Sequence, residues 1–431
     1  MAKILIYGIN FFPEPTGTGK YSGELAAWLA GRGHVVDVIT APPHYPEWKI
    51  HKGYSNRFSH QLSEGVCIFR CPLIVPDPKR IGSKSRILLE TSFAVTSFFR
   101  WIPIWCRAKR YEVVIAVCPP LQVGVFPWLL GKLWGTPWVF HFQDLQVDAA
   151  LQLGMLSDSW FIRMLFRVEA ALLNRADRVS TISLAMSNRI HGKGVPKERI
   201  WHFPNWSNLG QVRPGPRMNS FRTTFGYQED KVLVLYAGSM GEKQGLDLML
   251  EAAKRLAHRT DLRFLLVGEG AAKAKLQTKA ASEGHKNIDF LPIQPPELLS
   301  EMLAAADIHL VIQKRAAADL VMPSKLVNIL AAGKAPIVTA EMGTELFRVI
   351  NDHNLGMTVP PEQPQDLENA IIRMVDDRET RKFFERNARE YAENQLNRNF
   401  ILESFEAKLL GLINSSLLDH DSKLENENSH V

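Results

Sequence analysis

The chain has 431 residues, 46% of them hydrophobic and 22% charged, with 28 glycines and 25 prolines. That make-up predicts a folded protein of two or three domains and excludes a disordered, collagen-like or coiled-coil chain. The formal net charge is +6, and residues 77–110 alone carry an excess of that size.

The opening run KILIYGIN, residues 3–10, predicts a buried strand. Its apolar stretch ends at Asn10, too short for the core of a signal peptide, and no small-residue cleavage site follows. No stretch reaches about 18 uninterrupted apolar residues, so no membrane-spanning helix is expected. A Gly-rich loop, Thr16-Gly17-Thr18-Gly19, leads into a helical pattern over residues 21–30, which Gly31 and Gly33 end. VVDVITA is the second strand. In the segment 77–110, Lys79, Arg80, Lys84, Arg86, Arg100, Arg107, Lys109 and Arg110 stand against Asp77 and Glu90. Phe93, Phe98, Phe99, Trp101 and Trp105 are interleaved with them. The segment reads either as an amphipathic helix packed on a sheet or as a patch for an anionic membrane surface. Cys67, Cys71, Cys106 and Cys118 all fall in the first third, which fits neither a disulfide framework nor a zinc ribbon and suits a reducing cytosol.

EVVIAV, PWVFHF and RVSTIS are further short β-branched or aromatic runs separated by helix-length segments. Residues 208–220, rich in Pro and Gly, predict the join between two halves. The second half restarts with KVLVLYAGS, a helix over residues 246–258 and RFLLVGEG, then continues with NIDFLP, IHLVIQ and APIVTA. Strands alternating with helices predict two parallel, doubly wound sheets, each covered on both faces. A last helical stretch spans residues 379–412, and a polar tail, 413–431, is expected to fray.

Three glycine-bearing loops stand at predicted strand ends. Gly17-Thr18-Gly19 opens a helix, where backbone N–H groups meet a phosphate or simply make a tight turn. It is neither a Walker loop, since Tyr21 follows Lys20, nor a clean dinucleotide fingerprint, since Gly23 comes one residue late. In the second half, Gly238-Ser239-Met240-Gly241-Glu242-Lys243-Gln244-Gly245 combines glycines with a lysine, a cradle for a diphosphate. Gly268-Glu269-Gly270 follows the next strand, and Pro323-Ser324-Lys325 starts a helix facing the same side. His141-Phe142-Gln143-Asp144 ends the strand PWVFHF, where polar groups line the crevice of doubly wound folds.

GINFFPEPTGTGKYSGELAAWLAGRGHVVDVITAPPHYP, HFQD, YAGSMGEKQGLDLML, VGEG and VMPSKLVNILAAGKAPIVTA occur in the order typical of the retaining GT-B glycosyltransferases of family four, which the chain resembles from about residue 3 to about 410. The resemblance implies two Rossmann-like domains facing a central cleft. Residues 1–207 would bind the acceptor and 221–395 the nucleotide-sugar, with 396–412 a helix crossing back to the first domain. It implies that Gly17 and Gly19 approach the donor, with Thr18, Lys20 and Asp144 on the acceptor side. His141 would contact the transferred sugar. Gly238, Ser239, Gly241, Lys243, Gln244, Glu269, Pro323, Ser324, Lys325 and Asn328 would surround the donor. Two departures stand out. Ser239 and Gln244 occupy positions where many members carry Arg and Lys, with Lys243 one place early. The two glutamates of the last motif read Leu320 and Asn328, with Asp319 the nearby acid, so the group that grips the ribose is open.

The implied activity is transfer of a sugar, with fucose from GDP-fucose first and UDP-sugars next, to a polyprenyl-diphosphate-linked saccharide in exopolysaccharide biosynthesis. Retention needs no enzyme nucleophile. Lys243, Lys325 and helix N-termini would stabilise the departing diphosphate. The nucleotide-sugar is a substrate, so no cofactor is expected. No metal is expected either, since the D-x-D at Asp419-His420-Asp421 lies in the polar tail. The protein is expected in the cytoplasm, peripheral at the inner face of the cell membrane. Two other classes compete. A sugar-nucleotide epimerase of the same fold would need an acid beside His141, where Asp144 is the one candidate. Nucleic-acid binding through residues 77–110 would leave both nucleotide-type halves unexplained, so no nucleic-acid partner is expected.

Overall fold

The computed structural model describes the chain except residues 16, 78–81, 108–109, 146–147, 149–159, 316–322 and 429–431. For residues 83, 160–162, 243 and 419–428 it describes the backbone alone. The chain divides into two units, one formed by Met1–Pro204 with the chain from Asn399 onward, the other by Asn205–Arg398.

The strands of the first unit are β1 (Lys3–Tyr7), β2 (Val35–Thr40), β3 (Ser59–Ser63), β4 (Val66–Arg70), β5 (Val113–Cys118), β6 (Trp138–Phe142), β7 (Arg178–Thr181) and β8 (Ile200–His202), all parallel to their neighbours but β3. Their order is β3-β4-β2-β1-β5-β6-β7-β8, with β3 antiparallel to β4 at the edge. The helices are α1 (Gly17–Gly31), α2 (Ser83–Trp105), α3 (Val125–Trp134), α4 (Trp160–Arg175) and α5 (Leu184–Gly192). The chain turns to opposite sides of β1 for β2 and β5, which makes the carboxyl ends of β1 and β5 the switch point where doubly wound sheets bind ligands.

The second unit holds α6 (Ser220–Thr224), β9 (Val232–Ala237), α7 (Asp247–Arg255), β10 (Leu262–Val267), α8 (Lys273–Ser282), β11 (Ile288–Leu291), α9 (Leu299–Ala305) and β12 (Ile308–Val311). It continues with α10 (Ser324–Ala331), β13 (Pro336–Thr339), α11 (Glu345–Asp352), β14 (Met357–Val359), α12 (Pro364–Asp376) and α13 (Arg378–Gln395). Its order, β11-β10-β9-β12-β13-β14, is parallel throughout and switches between β9 and β12. The central strands are buried on both faces, as their unbroken apolar runs require.

Residues 77–110 contain α2, whose Leu89, Phe93, Ser97, Trp101 and Ile104 form a buried stripe over the first sheet. Burying Leu89, Phe93 and Ile104 contributes about 1.5–3 kcal/mol each. Tyr7 of β1 shares a 2.7 Å hydrogen bond with Ser97 beneath it. The opposite face leaves Leu88, Val95, Phe99 and Ile102 between 41% and 60% exposed. By length and composition Lys84–Trp105 could cross a membrane, against the expectation that no segment could. Its buried stripe is part of the sheet's core.

Two C-terminal expectations change. The stretch read as one helix over 379–412 is two, because Ser207 N–H donates to Leu396 O at 2.9 Å and Arg398 N–H donates to Ser207 O at 3.3 Å. The backbone there pairs sideways instead of along a helix axis. The polar tail expected from residue 413 continues as α14 (Arg398–Asn428), with Leu412 and Ile413 buried. α14 is tied to the first unit at Glu406, which accepts from Trp28 Nε1 (3.2 Å), Arg32 Nε (3.2 Å) and His34 Nε2 (3.1 Å).

Candidate functional site

In the first unit, the loop between β1 and α1 is held by two buried charges. Glu14 is 2% exposed. Its carboxylate accepts from His44 N–H (3.0 Å), Tyr45 N–H (3.1 Å) and Asn10 Nδ2 (2.9 Å). Burial pushes this carboxyl up to about 7, while those hydrogen bonds and the Arg70 charge pull it down. Arg70, at the end of β4, donates to Ala41 O (2.9 Å) and Phe12 O (2.8 Å). The two groups fasten residues 10–15 to residues 41–45.

Gly17 has φ +64°, the left-handed region that favours glycine. At Gly19 a Cβ would stand 2.5 Å from Glu14 Oε2, so glycine lets the first turn of α1 close onto the carboxylate. Thr18 and Lys20 are half-buried on that turn. The Lys20 ammonium lies 3.9 Å from Glu24 and over the Tyr21 ring, along the helix. Burial pushes the Tyr45 hydroxyl up, the Arg86 charge pulls it down, and Glu14 and Asp144 add to the rise.

His141, at the end of β6, is 3% exposed. Its Nδ1 lies 2.9 Å from Ser180 Oγ and its Nε2 2.8 Å from the Gln143 amide nitrogen. With that amide donating to Nε2, the proton sits on Nδ1 and points to Ser180. Burial lowers the imidazole to about 3, so the ring is neutral at working pH.

In the second unit, three of the loops at strand ends come together. Gly238 N–H donates to Val267 O (2.9 Å), Met240 N–H to Glu269 O (2.8 Å) and Ala272 N–H to Met240 O (2.9 Å). A Cβ on Gly268 would lie 2.0 Å from Gly238 O, and one on Gly270 2.4 Å from Met240 O. Those two glycines are needed for backbone-to-backbone approach. Lys325, on the first turn of α10, brings its Nζ to 3.8 Å from the Tyr236 ring centre. The same Nζ is 3.2 Å from where a Gly238 Cβ would be, so the ammonium rests on the turn after β9. Tyr236 Oη donates to Ser239 O at 2.7 Å and fixes that turn from below.

Gln244 Oε1 accepts from Gly241 N–H at 3.1 Å and closes the next turn. The Lys243 side chain, and Asp319, Leu320 and Met322, lie outside the described residues. Glu269 pairs with Lys273 Nζ at 2.6 Å. Pro323 starts α10 with no side-chain cap, and Ser324 is its first residue. Asn328, one turn on, accepts from Ser207 Oγ at 3.1 Å, which leaves its amide N–H₂ for other partners. Sequence reading missed Glu14, Arg70, Tyr236 and Ser207. A Glu between two prolines in an otherwise apolar strand-to-helix loop was the available signal for Glu14.

Residues 16–206 match the description "Glycosyl transferase 4-like domain" and residues 219–391 "Glycosyl transferases group 1". The chain is 40% identical over 413 residues, 94% of its length and 98% of the relative's, to a protein of Escherichia coli (strain K12) described as a colanic acid biosynthesis glycosyl transferase, WcaI. Its fold is similar to sucrose-phosphate synthase from Thermosynechococcus elongatus, with TM-score 0.76 and 18% identity over 96% of this chain and 100% of that one. It is also similar to Anabaena HepE in complex with UDP-glucose, with TM-score 0.70 and 15% identity over 95% of this chain and 100% of that one.

Proposed function

The chain belongs to the GT-B glycosyltransferases of the group 1, family-four type, and from that premise we propose that it moves a sugar, with retention at the anomeric carbon, from a nucleoside diphosphate to a polyprenyl-diphosphate-linked saccharide. The pathway we infer is assembly of an exopolysaccharide of the colanic-acid kind, as the name of the E. coli relative suggests. GDP-fucose is the first donor to test, and the UDP-glucose complex of HepE makes UDP-sugars the next.

The observation that carries this reading is Lys325 laid over the turn at Gly238, at the carboxyl end of β9. A cation there, beside the uncapped start of α10, faces the charge that grows on a diphosphate as the glycosidic bond breaks. On the face where that bond breaks, the leaving phosphate oxygen takes the proton of the acceptor hydroxyl, which then bonds the anomeric carbon. No enzyme nucleophile enters. His141 stays neutral and positions the sugar through its own shell. The nucleotide-sugar is a substrate, and neither a cofactor nor a metal is required by this scheme.

An epimerase would need His141 to exchange protons, and both of its ring nitrogens are engaged by Ser180 and Gln143. Nucleic-acid binding fits the outward face of α2 poorly, because that face is apolar. An apolar face flanked by Lys84 and Arg86 suits peripheral attachment to an anionic bilayer, where a polyprenyl-linked acceptor resides.

Lys325→Ala is expected to lower turnover about a hundredfold, near 2.7 kcal/mol of barrier, with the melting temperature unchanged. A melting temperature that falls as steeply as activity would make Lys325 a structural residue and remove the main support for this reading.

A further inference from the structure

Glu14 is the most deeply buried carboxylate at the switch point of the first sheet, and the chemistry above does not use it. The groups that face it come from four segments. Asn10 precedes it in its own loop, His44 and Tyr45 follow β2, Arg70 ends β4, and Gly19 stands on the first turn of α1. The His44 ring stands beside it, with Nδ1 3.6 Å from Oε1, but that nitrogen is bonded to Pro42 O at 3.0 Å and burial lowers the imidazole to about 4, so the ring is neutral. The carboxylate therefore accepts two backbone N–H groups on Oε1 and the Asn10 amide on Oε2.

We propose that Glu14 is a positioning residue that fixes the Gly17-Thr18-Gly19 turn for the acceptor by clamping it to the backbone of His44 and Tyr45. The argument is geometric. Gly19 packs directly on Glu14, and Gly23 lets α1 close onto the same loop, since a Cβ there would stand 2.7 Å from Phe12 Cβ. The ring of Tyr45, whose amide the clamp holds, lies against the same turn, 3.8 Å from where a Cβ on Gly17 would be. One carboxylate thus ties the start of α1 to the backbone of residues 44 and 45. Naming the acceptor as the ligand rests on the transfer reading above.

The ionised form holds all three bonds, since a proton on Oε1 would take an accepting position from the His44 and Tyr45 amides and one on Oε2 would take it from Asn10. Burial raises this carboxyl to about 7. Its folded value lies above the unfolded one, so its contribution to stability is fully present below about 4.5 and is lost as pH rises through about 7. Above that pH the ionised clamp costs stability while serving the site.

The test compares the full-length parent with Glu14→Gln, which keeps the shape and cannot ionise. At pH 8 the variant is expected to raise the KM for a polyprenyl-linked saccharide on the order of tenfold. Its melting temperature should be no worse than the parent's. Between pH 8 and 6 the parent's acceptor KM should rise toward the variant's, and the variant's should stay flat. Hydrogen exchange at the His44 and Tyr45 amides should quicken in the variant. Unchanged acceptor KM, a pH dependence that persists in the variant, or a melting temperature that falls with activity would each overturn the proposal. If the parent transfers no sugar at all, the transfer reading fails, and exchange at those two amides still decides the clamp: quickened exchange supports it, unchanged exchange refutes it.

Discussion

The neutral imidazole of His141 decides what kind of pH profile this active site can have. Burial holds its protonated form down to about 3, and the Gln143 amide occupies Nε2. The folded value lies below the ordinary one near 6.5, so between the two the ring takes up no proton in the folded state. A general base would lose activity as pH fell through that window. We predict that kcat, measured at saturating acceptor, stays level from pH 8 to pH 5.5, while His141→Ala removes most of it. A single-proton loss of kcat near pH 6.5 would make His141 the base. Gln143 shares the task of orienting the ring, although its place in the motif alone did not mark it. Its role follows from a neighbour two residues back in the same strand end.

Among the elements, α2 shows a buried stripe and an exposed apolar one on the same helix. Leu89, Phe93, Trp101 and Ile104 account for its attachment to the sheet, but nothing in fold stability calls for Val95 and Phe99 at 59% and 60% exposure. Basic side chains near anionic lipid contribute about 1 kcal/mol each, and inserted apolar ones add to that. The protein is predicted to sediment with anionic vesicles at low salt and less at high salt. Val95→Ser, Phe99→Ser and Ile102→Ser together should abolish sedimentation, with little change in melting temperature because all three are exposed. If that variant pellets like the parent, α2 is not the attachment surface. Elements differed in how far the sequence announced them. KVLVLY and RFLLV were legible as β9 and β10 because buried parallel strands are apolar throughout. Ser59–Ser63 was not, since an edge strand reading SHQLS has no buried residue. The break at Leu396–Asn397 was invisible for another reason: the bonds that cause it come from Ser207, about 190 residues away in sequence. In the same way, the glycines of the loops after β9 and β10 were legible, whereas Glu14 gained its partners only once the fold buried it under residues 41–45.

At the scale of the whole molecule, both sheets reverse direction beside their first strand, and each reversal carries candidate site residues: Glu14, Gly19 and His141 in one unit, Gly238, Ser239 and Lys325 in the other. A ligand that binds the native state raises its stability with concentration, by about 2.7 kcal/mol at a hundredfold excess over Kd. Of a panel of GDP- and UDP-sugars, the true donor is therefore predicted to raise the melting temperature, and Lys325→Ala to lose that shift. A panel in which no nucleotide shifts the parent would count against the donor assignment. The central claim is transfer to a lipid-linked acceptor, and its most direct test is the release of free nucleoside diphosphate from that donor with and without a polyprenyl-diphosphate-linked saccharide. The account predicts release only when the acceptor is present, one diphosphate for each sugar added, and the same rate in the presence of EDTA. Release that proceeds equally without the acceptor, or a donor epimerised with its diphosphate intact, would contradict it.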